Sequence, residues 1–358
     1  MTKINVFSLV FALVFGISQA HADGRAAVSH VYAVGYSDNR ILIPGYWLDG
    51  NWQELSIVDV RYQTTATAMS VSNGHVYIGG NSISAQGDGQ RMGGYWTDGK
   101  WRELRGWGET VIRSINAAGN HVYVGGFTRD SGLSPIASYW VDGEFKPLAD
   151  LGGGTDSEVA SIEVDSAGHV YAAGTMGWRD NMRAGYWLDR TWTELHAPAG
   201  TYNAGVGNIQ LSDGHVYVSG FAAQRAENYT NEWRAAGYWR DGEWVELSAP
   251  SQYRFNSAAS VFVKDGHVYV GGVVRKEARG TIPVPAYWVD GVFHALPNLD
   301  ISRGADVRSL QVSDDGHVYI GGTMFYADQD RPGYWLDGTW VPVQRVRKDG
   351  YVLGIVLQ

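Results

Sequence analysis

Gly316-His317-Val318-Tyr319-Ile320-Gly321-Gly322, continued by Gly333-Tyr334-Trp335-Leu336-Asp337-Gly338-Thr339-Trp340, decides the fold, because the chain writes it, with small changes, seven times. The tyrosine after His-Val stands at Tyr32, Tyr77, Tyr123, Tyr171, Tyr217, Tyr269 and Tyr319, in steps of 45, 46, 48, 46, 52 and 50 residues. A fixed period of this length marks supersecondary units that stack to bury what none can bury alone.

Each unit reads as four short strands, A to D. The His-Val-Tyr run is strand B (75–80 in the second unit), the Tyr-Trp run is strand C (94–97), and the Trp-x-Glu-Leu run is strand D (101–104). Strand A precedes B, as at 66–71, 111–117 and 307–312. The runs are rich in Val, Ile, Tyr and Trp and are bounded by Gly and Asp, the composition of buried strands. The A–B links include Asn73-Gly74, Asp213-Gly214, Asp265-Gly266 and Asp315-Gly316, and the C–D links include Asp49-Gly50, Asp98-Gly99, Asp290-Gly291 and Asp337-Gly338. Such dipeptides favour the left-handed backbone of two-residue hairpins. The expectation is an all-β, seven-bladed β-propeller of four-stranded antiparallel blades. The first unit starts almost at strand B, and an orphan strand remains at 351–357. That strand is expected to complete the first blade and close the ring, where an open array would carry polar caps.

The pairing of Gly-His-Val-Tyr-Val-Gly-Gly with Gly-Tyr-Trp-x-Asp-Gly-x-Trp resembles a group of exported bacterial repeat proteins taken to be propellers, without an established activity. The resemblance covers nearly all of the chain after its leader. It implies a fold and a compartment and carries over no catalytic residue.

Residues 1–22 stand apart. Lys3, an apolar run over 6–17 and the small-x-small site Ala20-His21-Ala22 read as a secretory signal peptide, leaving residues 23–358 as one propeller domain. The apolar run is shorter than the ~20 residues of a membrane span. The chain is therefore expected to be exported, periplasmic or extracellular, with no membrane span after leader removal, and monomeric. There is no Cys, which removes thiol nucleophiles and Cys-ligated metals. The formal net charge of −9 argues against nucleic acid as a partner. No cofactor or metal is implied. The seven repeat histidines begin strand B in seven different units, so they are expected to bond at the turns and not to converge on one ion. No Gly-x-Ser-x-Gly elbow is present.

Antiparallel order puts the A–B and C–D turns at one end of every blade and the B–C and D–A loops at the other. The second set varies in length, and variable loops on a rigid scaffold are where binding sits. Of 15 Trp, twelve are repeat positions, and Trp107, Trp178 and Trp233 are not. Each falls in a variable-face loop, as do Tyr202, Tyr229 and Tyr253. Every B–C loop holds an arginine, Arg129, Arg183 and Arg234 among them, with Arg179 beside Trp178. D–A segments add Arg113 and Arg308. Arg presents a fixed fork to carboxylate, sulfate or phosphate, and the aromatics offer stacking surfaces. The candidate ligand-binding set is thus Trp107, Trp178, Trp233, Arg129, Arg179, Arg183, Arg234, Tyr202, Tyr229 and Tyr253, for a glycan or an envelope protein. Each has a structural alternative: the arginines pairing with loop carboxylates, the tryptophans anchoring loops. A polysaccharide-active enzyme on the same face would need two convergent acids, which the sequence does not single out. A cell-envelope scaffold is the third reading.

Overall fold

Runs of β-branched and aromatic residues interrupted by Asp-Gly turns form 28 strands and no helix among the described residues. The structure, a computed structural model, describes residues 30–358 except 39–40, 58–62, 84–90, 131–133, 149–154, 179–180, 226–231, 278–280 and 298–302. The leader assigned to 1–22 lies outside the described residues, as do Arg179 and Tyr229.

The second unit shows the plan. Thr64–Ser72, His75–Ile83, Arg91–Thr97 and Lys100–Leu104 pair in that order, all antiparallel. The molecule has five such four-stranded sheets and one eight-stranded sheet, itself two such units joined by a single parallel bridge, Arg234 to Phe255. The described residues therefore hold seven four-stranded units, called blades 1 to 7. Asp349–Leu357 pairs antiparallel with Val31–Asp38, so the C-terminal strand is the inner strand of blade 1. Each inner strand touches the next, from Thr64–Ser72 through Ala305–Val312 to Asp349–Leu357 and back. The fold is an all-β propeller, closed by the orphan strand.

The core lies between blades. Seven buried clusters each join two neighbours, the last joining Ala33 and Trp47 of blade 1 to Val343 and Tyr334 of blade 7. The strand C tryptophans, Trp47 through Trp335, are all 0% exposed. Their indole N–H groups tie down the preceding D–A crossover: Trp288 donates to the Ser248 carbonyl at 2.7 Å, and Trp47 to that of Gln344 at 2.7 Å. The strand D aromatic packs on this indole, 4.6 Å between centroids for Trp47 and Trp52. Its size is matched by the strand C residue two positions before the buried Trp. A Cβ on Gly45 would lie 2.3 Å from the Trp52 ring, and one on Gly185 2.3 Å from the Trp192 ring. In the two blades where strand D carries the smaller Phe145 or Phe293, the matched position is Ser138 or Ala286.

The second glycine of the Gly-Gly pair has a different cause. Each inner strand holds an extra residue against strand B, a β-bulge, as between Ile112 and Ser114 in blade 3. The bulge drives a carbonyl toward strand B, so a Cβ on Gly126 would sit 1.9 Å from the Val111 oxygen. Only glycine fits there.

The turn aspartates explain the repeat histidines. Asp290 has φ 49° in the Asp-Gly turn. Its carboxylate accepts the Val268 N–H at 2.9 Å and bonds His267 Nδ1 at 2.6 Å. All seven blades repeat this clasp, from His30–Asp49 to His317–Asp337. The ring of turn acids is thus engaged with histidine. The C–D turns also abut the preceding blade: the Gly50 carbonyl accepts the Gln344 N–H at 2.8 Å. One turn departs from the sequence expectation. Asp315 is not left-handed, and Ser313 N–H bonds the His317 carbonyl across a wider loop than the two-residue hairpin expected at Asp315-Gly316. The Ser313 hydroxyl fills this loop, accepting the His317 N–H at 2.9 Å.

Candidate functional site

The inner-strand bulges aim one residue per blade at the propeller axis. Thr67, Arg113, Ala160, Ala259, Arg308 and Leu353 occupy the bulge in six blades, and Gly207-Asn208 in blade 5, where two residues stand against Ser219 alone. All of them line an axial cavity of about 660 Å³. Neighbouring inner strands are stitched by the matched polar residues. Ser114 Oγ accepts the Ile162 N–H at 3.1 Å, and Ser260 Oγ accepts that of Leu310 at 3.0 Å. Asn208 Oδ1 accepts the Val261 N–H at 2.6 Å.

Arg113 and Arg308, which the sequence placed in D–A segments and within strand A, lie at the bulges of the inner strands and line the cavity. Both meet carboxylates: Arg113 with Glu158 at 3.4 Å and Arg308 with Asp306 at 2.6 Å. Burial raises the Asp306 carboxyl, an effect that Arg308 opposes. Deeper in the cavity, enclosure pushes Glu163 up to about 7, with Asn116 Nδ2 donating to it at 2.9 Å.

Toward the variable-loop ends of blades 5 and 7, arginines lie over aromatic rings, and one of these pairs, Arg234 and Phe221, lines the axial cavity. Arg234 is 3.8 Å above the Phe221 centroid, Arg225 is 3.8 Å above Tyr202, and Arg331 is 4.1 Å above Tyr326. The Tyr202 hydroxyl donates to Glu232. Arg234 lines both the axial cavity and a smaller one of about 160 Å³ with Glu232, Phe255, Ser257, Val273 and Arg275.

The residues proposed from sequence divide into groups. Trp107 and Trp178 are exposed, at 52% and 56%. Trp107 packs edge-on against Phe145 and lines an inter-blade groove with Pro147 and Arg190; Trp178 ends its strand opposite Asn181. Trp233 is half-buried and donates its indole N–H to Gln224 at 2.9 Å. Arg183 shares a cleft of about 390 Å³ with Tyr202 and is paired to Glu194 at 3.2 Å. Arg129 meets Glu109 at 3.3 Å. These partners are strand carboxylates, not the loop acids considered from sequence. Tyr253 packs into the cluster between blades 5 and 6. Sequence reasoning brought Arg234 and Tyr202 to one mouth but missed Phe221, Arg225 and Arg275 beside them. It passed over the bulge position too, whose signal is the residue just before the matched small one: Thr67, Arg113, Ala160, Ala259 and Arg308.

Among the described residues no three His, Asp or Glu side chains group to hold a metal ion.

No protein-family model matches the chain, and no curated protein matches it. Solved structures do. A puromycin-hydrolysing peptidase of Mycobacterium tuberculosis aligns at TM-score 0.50 and 13% identity, over 79% of this chain and 45% of that one. The chain thus spans less than half the length of that peptidase. The β-propeller domain of the Trilobed protease of Pyrococcus furiosus aligns at TM-score 0.47 and 13% identity, covering 79% and 84% of the two chains. The periplasmic gluconolactonase of Pseudomonas aeruginosa aligns at 0.47 and 12%, covering 90% and 99%. At these identities the likeness is one of fold alone.

Proposed function

We propose that the protein is an exported binding module that recognises an acidic glycan through the variable-loop face of the propeller. The observation that carries this reading is the set of guanidinium–aromatic stacks at that end of the blades, Arg234 on Phe221 and Arg225 on Tyr202 foremost. A ring face beside a fork of N–H donors suits a sugar whose C–H face stacks and whose oxyanion takes the fork. Trp107 and Trp178, each more than half exposed, add aromatic surface on blades 3 and 4.

Glycoside hydrolysis on the same face would need two available carboxylates about 5–9.5 Å apart. Glu109, Glu158 and Asp306 each sit on an arginine, and Glu232 and Asp330 each accept a tyrosine hydroxyl. This engagement supports binding over hydrolysis.

The test is a titration of residues 23–358 with acidic and neutral polysaccharides, followed by tryptophan fluorescence. A saturable change with acidic chains only, weakened by salt, is expected. Trp178→Ala should reduce it while leaving the circular dichroism spectrum unchanged. No response to any polysaccharide would overturn the reading and direct the search to a protein partner.

A further inference from the structure

The joint between blades 5 and 6 differs from the other joints, because a bridge between strands fuses these two blades into one sheet. The crossover after strand D of blade 5 runs beside its strand C: the Arg234 N–H donates to the Arg254 carbonyl at 2.8 Å, and the Arg254 N–H to the Arg275 carbonyl at 2.9 Å. Arg234 is therefore opposite Phe255, and Phe255 opposite Arg275. Residues directly opposite one another leave a sheet on the same face. Arg234 and Arg275 thus stand on either side of Phe255 on one face, two strand spacings apart, about 10 Å at their backbones.

Neither arginine has a carboxylate within ion-pair distance among the described residues. Glu232, the acid sharing their cavity, is held by the Tyr202 hydroxyl. The Nε atoms of both arginines are buried and lack an acceptor. Burial first holds the Arg234 guanidinium below its usual range; Glu232 and Tyr202 oppose this, and the Arg275 charge adds to it. The two arginines at the inner-strand bulges are answered with acid, Arg308 by Asp306 and Arg113 by Glu158. Here Arg234 and Arg275 share a cavity of about 160 Å³ with Glu232 and the hydroxyl-bearing Ser257, and Asp306 acts on Arg275 from outside it. Buried donors without partners cost stability unless an acceptor arrives.

We propose that Arg234 and Arg275, with Ser257, form a cradle for one tetrahedral oxyanion, sulfate or phosphate. The proposal rests on reading this face as the binding surface, and it names the group that anchors the ligand. A planar carboxylate is satisfied by a single guanidinium fork. Two forks arriving from separate strands, with a hydroxyl between, suit three or four oxygens around one centre. The oxyanion is either an ester group on a glycan or the free ion, and the two sources are separable by experiment.

The purified protein is titrated by calorimetry with sodium sulfate and sodium phosphate at ionic strength matched with chloride, and its melting temperature is followed in parallel. Saturable binding to one site and a melting temperature that climbs with oxyanion but not with chloride are expected. Arg275→Gln should weaken binding about tenfold or more, as expected for losing a charge-assisted contact. Without oxyanion it should melt no lower than the parent, since it removes a like-charge neighbour; this separates lost binding from lost fold. Arg105→Gln, at a guanidinium already paired to Glu103, should bind as the parent does. Sulfate and phosphate acting no differently from chloride would overturn the cradle, as would unchanged affinity in Arg275→Gln. Free sulfate bound without any sulfated polysaccharide would keep the cradle and end the glycan reading. Sulfated polysaccharide bound equally by Arg275→Gln would keep the glycan reading and end the cradle.

Discussion

Replacing Phe293 by Trp should destabilise blade 6, and replacing Ala286 by Gly in the same chain should restore most of the loss. Ala286 and Phe293 occupy the positions that are Gly and Trp in five other blades, and Ala286 pairs with Ala295 two residues along strand D. Where the indole is present, a Cβ at the glycine position would approach it to 2.3–2.5 Å. Carbon atoms rest at about 3.5–4.0 Å, so an Ala–Trp combination overlaps by more than 1 Å, roughly. Trp288 behind the ring is fully buried and offers no retreat. Overpacking of this kind costs about 1–3 kcal/mol. Ala286→Gly alone should cost about 1 kcal/mol, from chain entropy and a small void. The double variant should lie within about 1 kcal/mol of the parent, a favourable coupling of about 1–3 kcal/mol. Urea unfolding midpoints of the four proteins, with slopes checked for constancy, measure the cycle. If Phe293→Trp is as stable as the parent, or if the double variant loses the sum of the two single losses, then the pairing of residue sizes across strands C and D is not the cause of the sequence pattern.

Trp288→Phe should cost about 2–4 kcal/mol, because it opens a void at a fully buried side chain and removes the bond to the Ser248 carbonyl. Trp244→Phe, by contrast, should cost under about 1 kcal/mol, since the Trp244 indole N–H is buried without an acceptor; equal losses in urea would refute the distinction. Deleting residues 349–358 removes the inner strand of blade 1 and uncovers the edge of Val31–Asp38, so the truncated protein should melt well below the parent and elute as aggregates on size exclusion. The turn clasps set a pH window. Asp98 is held below the usual carboxylate range by the Val76 N–H and then His75, and Asp290 by His267 and then the Val268 N–H; this stability is present above about pH 4 and lost as pH falls through the lowered values. His169 and His317 are raised by their bonds to Asp189 and Asp337, so their contribution is complete below about pH 6.5 and lost as pH rises through the raised values. The melting temperature should be highest between about pH 4 and 6.5, and a maximum at pH 8 would contradict the clasps.

The period and the Asp-Gly turns were legible in the sequence because each is a local signal repeated along the chain, and the orphan strand because the first unit lacked its A strand. Asp290 must be left-handed and Trp288 must be enclosed whatever happens elsewhere. The bulge was not legible, because an extra residue breaks the period-two pattern by which strand faces are read. Arg113 and Arg308 fell within the expected A strands, but that they line the axis could not be read from the pattern. Tyr253 was grouped with ligand contacts because its loop position has no periodicity, yet its ring packs between blades 5 and 6. The neighbourhood of Arg234 and Arg275 depends on a crossover that forms one inter-blade bridge, and nothing in residues 247–254 announces that pairing.

Seven copies of one unit in one chain act as internal controls. A position that serves packing is either the same in every blade, like the second glycine of the B strand, or changes together with its neighbour. Ser138 with Phe145 and Ala286 with Phe293 are such joint changes. Arg190 replaces the usual turn glycine at φ 78°, and its Nε donates to the Pro147 carbonyl at 3.2 Å, a local compensation. Arg113 and Arg308 depart from the small bulge residues of other blades, and each brings a carboxylate. The position of Arg275, three residues beyond the second B-strand glycine, is Asp38, Ile83, Arg129, Gly177, Ala223 and Phe325 elsewhere. The position of Arg234, three residues before the matched C-strand residue, is Leu42, Arg91, Pro135, Met182, Pro283 and Asp330. Arg129 in this comparison is answered by Glu109 at ion-pair distance, whereas Arg234 feels Glu232, and Arg275 feels Asp306, only at longer range. A departure that brings two guanidiniums to one cavity with no carboxylate at ion-pair distance implies an anion as its counterpart.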